Sequence, residues 1–269
     1  MNITRYTTDF ALNLTTIERR QYALIAAWVL AMIALPILKW TFGTDIIPTA
    51  VTFALMIQFS AVLYISINAW GLKSALFTFL LVAIITWSIE GLGSSTGFPF
   101  GGYDYTPVLQ PKVAGVPLLI PLAWFMMLPS SWAVAHVLLG KHRNRVYSPA
   151  LYALVSALAI TAWDLFLDPQ MVAWGFWIWD EPGAYFGIPL ANYAGWLLTG
   201  IIVTVLVRPD KRDLPIVPLI TIYAVVWFLQ SFGQAIFWGQ TGPALVGSIG
   251  MGILLFSALF KLRQEANNA

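Results

Sequence analysis

The sharpest chemical feature of the sequence is the run Trp163-Asp164-Leu165-Phe166-Leu167-Asp168-Pro169. Two carboxyls four residues apart project from one face of a helix. Like charges at that spacing repel, and the residues around them are apolar. At least one of the pair is therefore expected to hold a proton at neutral pH, or to bind a cation. Ionisable side chains inside an apolar helix are functional candidates by default. Pro169 is expected to end the helix directly after Asp168, which leaves Asp164 one turn inside and makes Asp168 the more surfaced of the two. The bland alternative is a structural, hydrogen-bonded pair.

A third carboxyl, Glu90, closes an apolar run at Trp87-Ser88-Ile89-Glu90-Gly91. Asn192 and Tyr193 open another such run. Gln230 and Gln234, again four apart, close a further one with Tyr223 and Trp227 behind them. A single glutamine in this setting more often joins helices than serves a site, but here three carboxyls, an Asn and two Gln on four helices reach one level. That inventory suits acid–base chemistry on a greasy substrate. A neutral carboxyl can protonate an alkene, aromatic faces can stabilise the carbocation, and a second carboxylate with Asn or Gln can hold the water that captures it. The catalytic candidates are Asp164, Glu90 and Asp168, with Asp164 the expected general acid. The substrate-binding candidates are Tyr103, Trp163, Asn192, Tyr193, Trp227, Gln230 and Gln234.

Other chemistries lack their residues. The chain has no cysteine, so thiolate metal sites, iron–sulfur clusters and Cys nucleophiles are excluded. Its two histidines, His136 and His142, lie at the opposite end from the carboxyls, so a Ser nucleophile has no His base at its level. Lys39, Lys73 and Lys261 sit at helix ends, where none can form a retinal Schiff base. There is one Asp-x-x-x-Asp motif and no cluster of basic residues beside it, against the two Asp-rich motifs of a magnesium–diphosphate prenyltransferase. Gly91-Leu92-Gly93 follows an apolar helix and not a strand, so it is no dinucleotide fingerprint. No metal and no cofactor are expected. A net charge of +2 gives no ground for a nucleic-acid partner.

The elements that must position these residues are membrane helices. Of 269 residues, 59% are hydrophobic and 10% charged, where a soluble domain carries about 25% charged residues. Eight apolar runs are long enough to span a bilayer, at about 21–40, 46–67, 72–90, 116–139, 149–168, 190–207, 214–235 and 244–260. The expected fold is all-α: a polytopic membrane helix bundle of about eight transmembrane helices with both termini cytoplasmic. Residues 1–20 form a cytoplasmic segment, 21–260 one bundle domain and 261–269 a cytoplasmic tail. No cleavage site follows the first apolar run, so it is read as a retained helix. With this count, twelve basic residues fall on the cytoplasmic side (Arg5, Arg19, Arg20, Lys73, Lys141, Arg143, Arg145, Arg208, Lys211, Arg212, Lys261 and Arg263) and two, Lys39 and Lys112, on the other. The acids sort the opposite way and place the site in the outer half of the membrane. Two outer connections stand out: the Gly- and Pro-rich stretch 91–115, expected to be a re-entrant loop or lid, and the aromatic stretch 169–189, either an interfacial belt or a substrate wall. No internal repeat is evident.

Several of these motifs occur together. They are Glu90 followed by Thr96-Gly97-Phe98-Pro99-Phe100-Gly101-Gly102-Tyr103-Asp104-Tyr105-Thr106, Gly115-Val116-Pro117 with Ile120-Pro121-Leu122-Ala123-Trp124, Trp163-Asp164 through Asp168-Pro169, and Gly187-Ile188-Pro189-Leu190 with Asn192-Tyr193 and Gly195-Trp196. Over about residues 20–260 this combination resembles carotenoid biosynthesis proteins of the CruF type, the carotenoid 1,2-hydratases with archaeal relatives that act as bisanhydrobacterioruberin hydratases. The resemblance implies addition of water to the terminal 1,2 double bond of an acyclic carotenoid, giving a tertiary 1-hydroxyl, in a multi-pass membrane protein of a bacterium or archaeon. The implied partners are the carotenoid, water and membrane lipid. Two alternatives stay open: a cyclase or isomerase of the polyene end, in which the cation loses a proton, and a carotenoid or lipid carrier or proton-coupled transporter.

Overall fold

The computed structural model describes residues 19–139 and 148–267. Arg5, Lys141, His142, Arg143 and Arg145, with most of the expected 1–20 segment, lie outside the described residues. Among the described residues, eight helices are long and apolar enough to cross a membrane. They are α1 (Arg19–Phe42), α2 (Ile47–Trp70), α3 (Leu72–Thr96), α4 (Leu119–Leu139), α5 (Pro149–Ala173), α6 (Leu190–Val207), α7 (Ile216–Ile236) and α8 (Thr241–Asn267). The all-α membrane bundle is the fold of this chain. The α5 start shows how sequence sets a boundary: Ser148 Oγ accepts the Leu151 N–H at 3.1 Å, and Pro149 supplies the first helical position.

The central element is α4, whose side chains from Trp124 to Val137 are almost all buried and which packs on α2, α3, α5, α7 and α8. The tightest pair is α5 with α6. A Cβ at Gly200 would stand 3.0 Å from the Ala157 Cα, so the glycine lets the two helices approach this closely without displacing a neighbour. That closeness sets Asn192 of α6 against the acids of α5.

Three expectations on element ends are corrected. First, α3 does not stop at Glu90 but continues to Thr96 and ends where Gly97 takes a left-handed conformation (φ 79). The hydroxyls of Ser94, Ser95 and Thr96 bond back to carbonyls of this last turn, which helps to carry the helix through Gly91 and Gly93. Second, α5 does not end at Asp168. Pro169 lies inside the helix, which runs on to Ala173. A mid-helix proline frees the carbonyl four residues before it. Here that carbonyl, Leu165 O, accepts the Tyr185 hydroxyl at 3.0 Å, while Gln234 Nε2 donates to Phe166 O at 2.7 Å and Gln240 Nε2 to Pro169 O at 3.0 Å. Side chains from three other segments thus satisfy the break. Third, residues 261–267 lie beyond the expected end of the last helix at about 260 but are helical. They continue α8, and Lys261 Nζ donates to Leu138 O of α4 at 3.0 Å.

The two long connections fold together as a lid. The first carries β1 (Tyr103–Tyr105), β2 (Lys112–Val113) and β3 (Val116–Pro117), and β2 pairs with β3, which delays α4 to Leu119. The second carries β4 (Trp177–Trp179), antiparallel to β1 with Tyr103 opposite Trp179 and Tyr105 opposite Trp177. Alternate residues point to opposite faces of a strand. Tyr103, Trp177 and Trp179 therefore turn inward with Tyr105, while Asp104 and Ile178 are exposed. Phe100 pins this lid to the bundle: its ring lies against Gly93 of α3 and Gly195 of α6, where any Cβ would strike it.

Candidate active site

Under the lid, the carboxyls form two separate centres. Glu90 Oε2 accepts the hydroxyls of Tyr103 at 2.7 Å and Tyr105 at 2.8 Å, and its Oε1 accepts the Trp124 indole N–H at 3.0 Å. All three partners donate, which is the surrounding that fits an acceptor-only carboxylate. Burial, then the charge of Glu90, push the Tyr103 and Tyr105 phenols above their ordinary value, so both stay protonated donors.

The second centre is the Asp164–Asp168 pair. One amide bridges it: Asn192 Nδ2 donates to Asp164 Oδ2 at 2.8 Å and also to Asp168 Oδ2. Asp164 is wholly buried and its Oδ1 has no hydrogen-bond partner among the described residues; the Tyr193 hydroxyl is likewise buried and unpaired among them. Burial, then the neighbouring Asp164, push the Tyr185 phenol up, so the hydroxyl that caps Leu165 O also stays protonated.

Both centres border one cavity of about 130 Å³. Glu90, Asp168 and Asn192, with Gln58, Gln170 and Gln230, supply its polar edge, and aromatic and aliphatic side chains together supply its wall. Trp124 and Trp196 stack at 4.1 Å with 20° between planes, and Trp163 meets Trp196 edge-on at 5.9 Å. Tyr103 packs at 5.1 Å on Trp179 and 5.3 Å on Tyr105, which meets Trp177 at 5.9 Å. Such rings present electron-rich faces to a cation without offering it a nucleophile.

The sequence candidates divide on this geometry. Glu90, Tyr103, Trp163, Asp168, Asn192 and Gln230 line the cavity. Asp164 stands behind Asp168, joined to it through Asn192. Gln234 does not line the cavity, but its Nε2 donates to Phe166 O and to Gln170 and Gln230, the latter two of which do line it. Trp227 is a helix-packing residue, donating to Ser248 O at 2.9 Å and resting on Phe256. Tyr193 packs on Tyr185 at 5.1 Å outside the cavity wall. Residues not singled out as site candidates include Tyr105, Trp124 and Trp196. Tyr105 was signalled by the alternation Tyr-Asp-Tyr, and Trp196 by its place four residues after Asn192; Trp124 carries no local signal of its bond to Glu90. Among the described residues, no three His, Asp or Glu side chains gather in an arrangement that could hold a metal.

A family model described as carotenoid biosynthesis protein matches residues 49–254, which include every residue of the two carboxyl centres. Bisanhydrobacterioruberin hydratase from Haloarcula japonica is 38% identical over 129 residues, or 47% of this chain and 43% of that protein. The alignment thus spans less than half the length of that relative. No solved structure matches.

Proposed function

The chain belongs to the family of carotenoid biosynthesis proteins, and from that premise we propose that it is a membrane-embedded carotenoid hydratase acting on the terminal 1,2 double bond of an acyclic end group. The observation that carries this reading is the pairing of two unlike carboxyl centres on one aromatic-walled cavity. Asp164 and Asp168 share one amide donor and stand too close for both to be charged, so they hold a proton between them. The three donors that meet Glu90 support its assignment as the anion.

The reaction then follows in balance. Asp168, which borders the cavity, gives its proton to C2 of the alkene, and the π electrons form that C–H bond. The positive charge falls on the tertiary C1, between the Trp124–Trp196 stack and Glu90. Water adds through oxygen to C1, and the proton it sheds passes to Glu90 or returns to the aspartate pair. Asp164 is the positioning partner: Asn192 donates to both carboxyls and holds them side by side, so that one proton serves the pair and Asp168 delivers it. This places at Asp168 the contact with substrate that the sequence assigned to Asp164. Gln230 at the cavity edge is suited to orient the water. The carboxyls supply both acid and base, so the mechanism assigns no step to a metal or cofactor.

The same proposal puts the lid on the non-cytoplasmic side. Among the described residues, Arg19, Arg20, Lys73, Arg208, Lys211, Arg212, Lys261 and Arg263 all lie toward the other end of the helices. Expression in a lycopene-producing host, followed by pigment mass analysis, tests the function. Hydration adds the mass of one water per reacted end. Cyclisation or isomerisation leaves the mass unchanged, as does a carrier, and either outcome would defeat the proposal.

A further inference from the structure

The cavity encloses about 130 Å³. An apolar cavity of roughly 150 Å³ takes one benzene, so this one accommodates a single branched end of an isoprenoid. The conjugated chain of a carotenoid has to leave the bundle somewhere. The lid closes the near end, since Phe100, Tyr103, Trp177 and Trp179 are all buried. On the flank, α1 packs closely along α2 but meets α7 only sparsely.

That α1–α7 seam is continuous with the cavity. Met32 and Leu35 of α1 and Val226, Leu229 and Gln230 of α7 all line it, and Met32, Leu229 and Gln230 are only half-buried. Beside them, Ile33 and Phe228 are exposed on the bilayer-facing surface. The seam is clasped at its outer rim. There Lys39 Nζ sits 5.2 Å from the centre of the Trp238 ring, and Trp40 meets Phe237 at 5.6 Å. Trp238 in turn touches Trp174 of the cavity wall at 5.0 Å.

We propose that the seam between α1 and α7, below the Lys39/Trp40–Trp238/Phe237 clasp, is a lateral portal. The linear hydrocarbon chain of the substrate lies through it, with one end in the cavity and the rest in the bilayer. The portal rests on the functional reading above and deepens it by defining the ligand: a long, unbranched-width polyene with an acyclic tip, presented from the membrane phase. The two ends of a symmetric polyene must react in separate visits, because one end stays in lipid while the other is bound.

The absence of native cysteines permits a direct test on the full chain in membranes. Met32→Cys and, separately, Leu229→Cys are treated with a long-alkyl maleimide, and binding of lycopene is followed by its visible absorbance. Labelling at either position is expected to abolish polyene binding, and bound polyene is expected to protect the cysteine from the reagent. Leu80→Cys, on the exposed face of α3, should label without effect on binding. Unimpaired binding after full labelling at both seam positions, labelling rates indifferent to the polyene, or an unlabelled protein that binds no polyene would overturn the portal. Binding that obeys this pattern with no gain of water in the pigment would keep the portal and reject the hydratase.

Discussion

Replacing Glu90 by Gln tests the electrostatic core of the mechanism with little change of shape. The carboxylate receives three donors at 2.7–3.0 Å. In the amide, Oε1 can still accept from Trp124, while Nε2 faces the two tyrosines, whose hydroxyls can turn to accept. The fold should therefore persist. What is lost is a negative charge beside the nascent cation. At a separation of about 6 Å and an effective dielectric of about 20, a unit charge pair is worth about 2.8 kcal/mol. That corresponds to roughly a hundredfold in rate. Glu90→Gln should thus lower hydration about a hundredfold in isolated membranes, with polyene absorbance on binding unchanged. Glu90→Ala behaves differently, because it strands three buried donors at about 1–3 kcal/mol each and should lower the thermal midpoint as well. Turnover in Glu90→Gln within a few-fold of the native protein would refute the assignment of Glu90 as the cation's counter-charge.

Asp168→Asn removes the acid that borders the cavity and should cut turnover by about 10²–10⁴-fold; Asp164→Asn should cost less, since the acid at the cavity remains and only the neighbouring carboxyl that helps it hold its proton is lost, and a larger loss at Asp164 would reverse their roles. Tyr185→Phe keeps the ring contacts with Phe186 and Tyr193 but strands Leu165 O beside Pro169, so unfolding monitored by fluorescence should show a loss of about 1–3 kcal/mol, and an unchanged midpoint would mean that the carbonyl is satisfied another way. Exhaustive chelation should leave hydration unchanged, because Tyr103, Tyr105 and Trp124 already occupy the oxygens of Glu90; activity lost on chelation and restored by one added cation would reject a purely carboxyl mechanism.

The spans were legible because burial in lipid demands long apolar runs, and each expected run lies within one of the eight helices or within a few residues of its ends. The carboxyls were legible for the complementary reason: an acid in such a run carries a cost that function has to justify. What escaped was set by partners distant in sequence. Pro169 carries a strong local signal to stop a helix. It is overruled by hydrogen bonds from Tyr185, Gln234 and Gln240, none of which local propensity can foresee. The same blindness put Gln234 and Trp227 among the candidates, though neither lines the cavity, since a residue one helical turn from another reads alike whether it faces a cavity or a neighbouring helix. Trp124 was missed for the reverse reason: in a chain with 13 tryptophans, only the position of its N–H against Glu90 sets it apart. The strand pairing of Tyr-Asp-Tyr with Trp-Ile-Trp joins segments more than seventy residues apart, and neither segment alone is long enough to announce a sheet.

The central claim is that a carboxyl proton and a water oxygen are added to opposite carbons of one terminal double bond. Incubating the membrane-embedded protein with an acyclic carotenoid in deuterated, ¹⁸O-enriched water, with mass and fragment analysis of the pigment, tests it most directly. The mechanism predicts one ¹⁸O on C1 and one non-exchangeable deuterium on C2 for each hydroxyl formed. A product with unlabelled oxygen, or one carrying deuterium but no added oxygen, would contradict it.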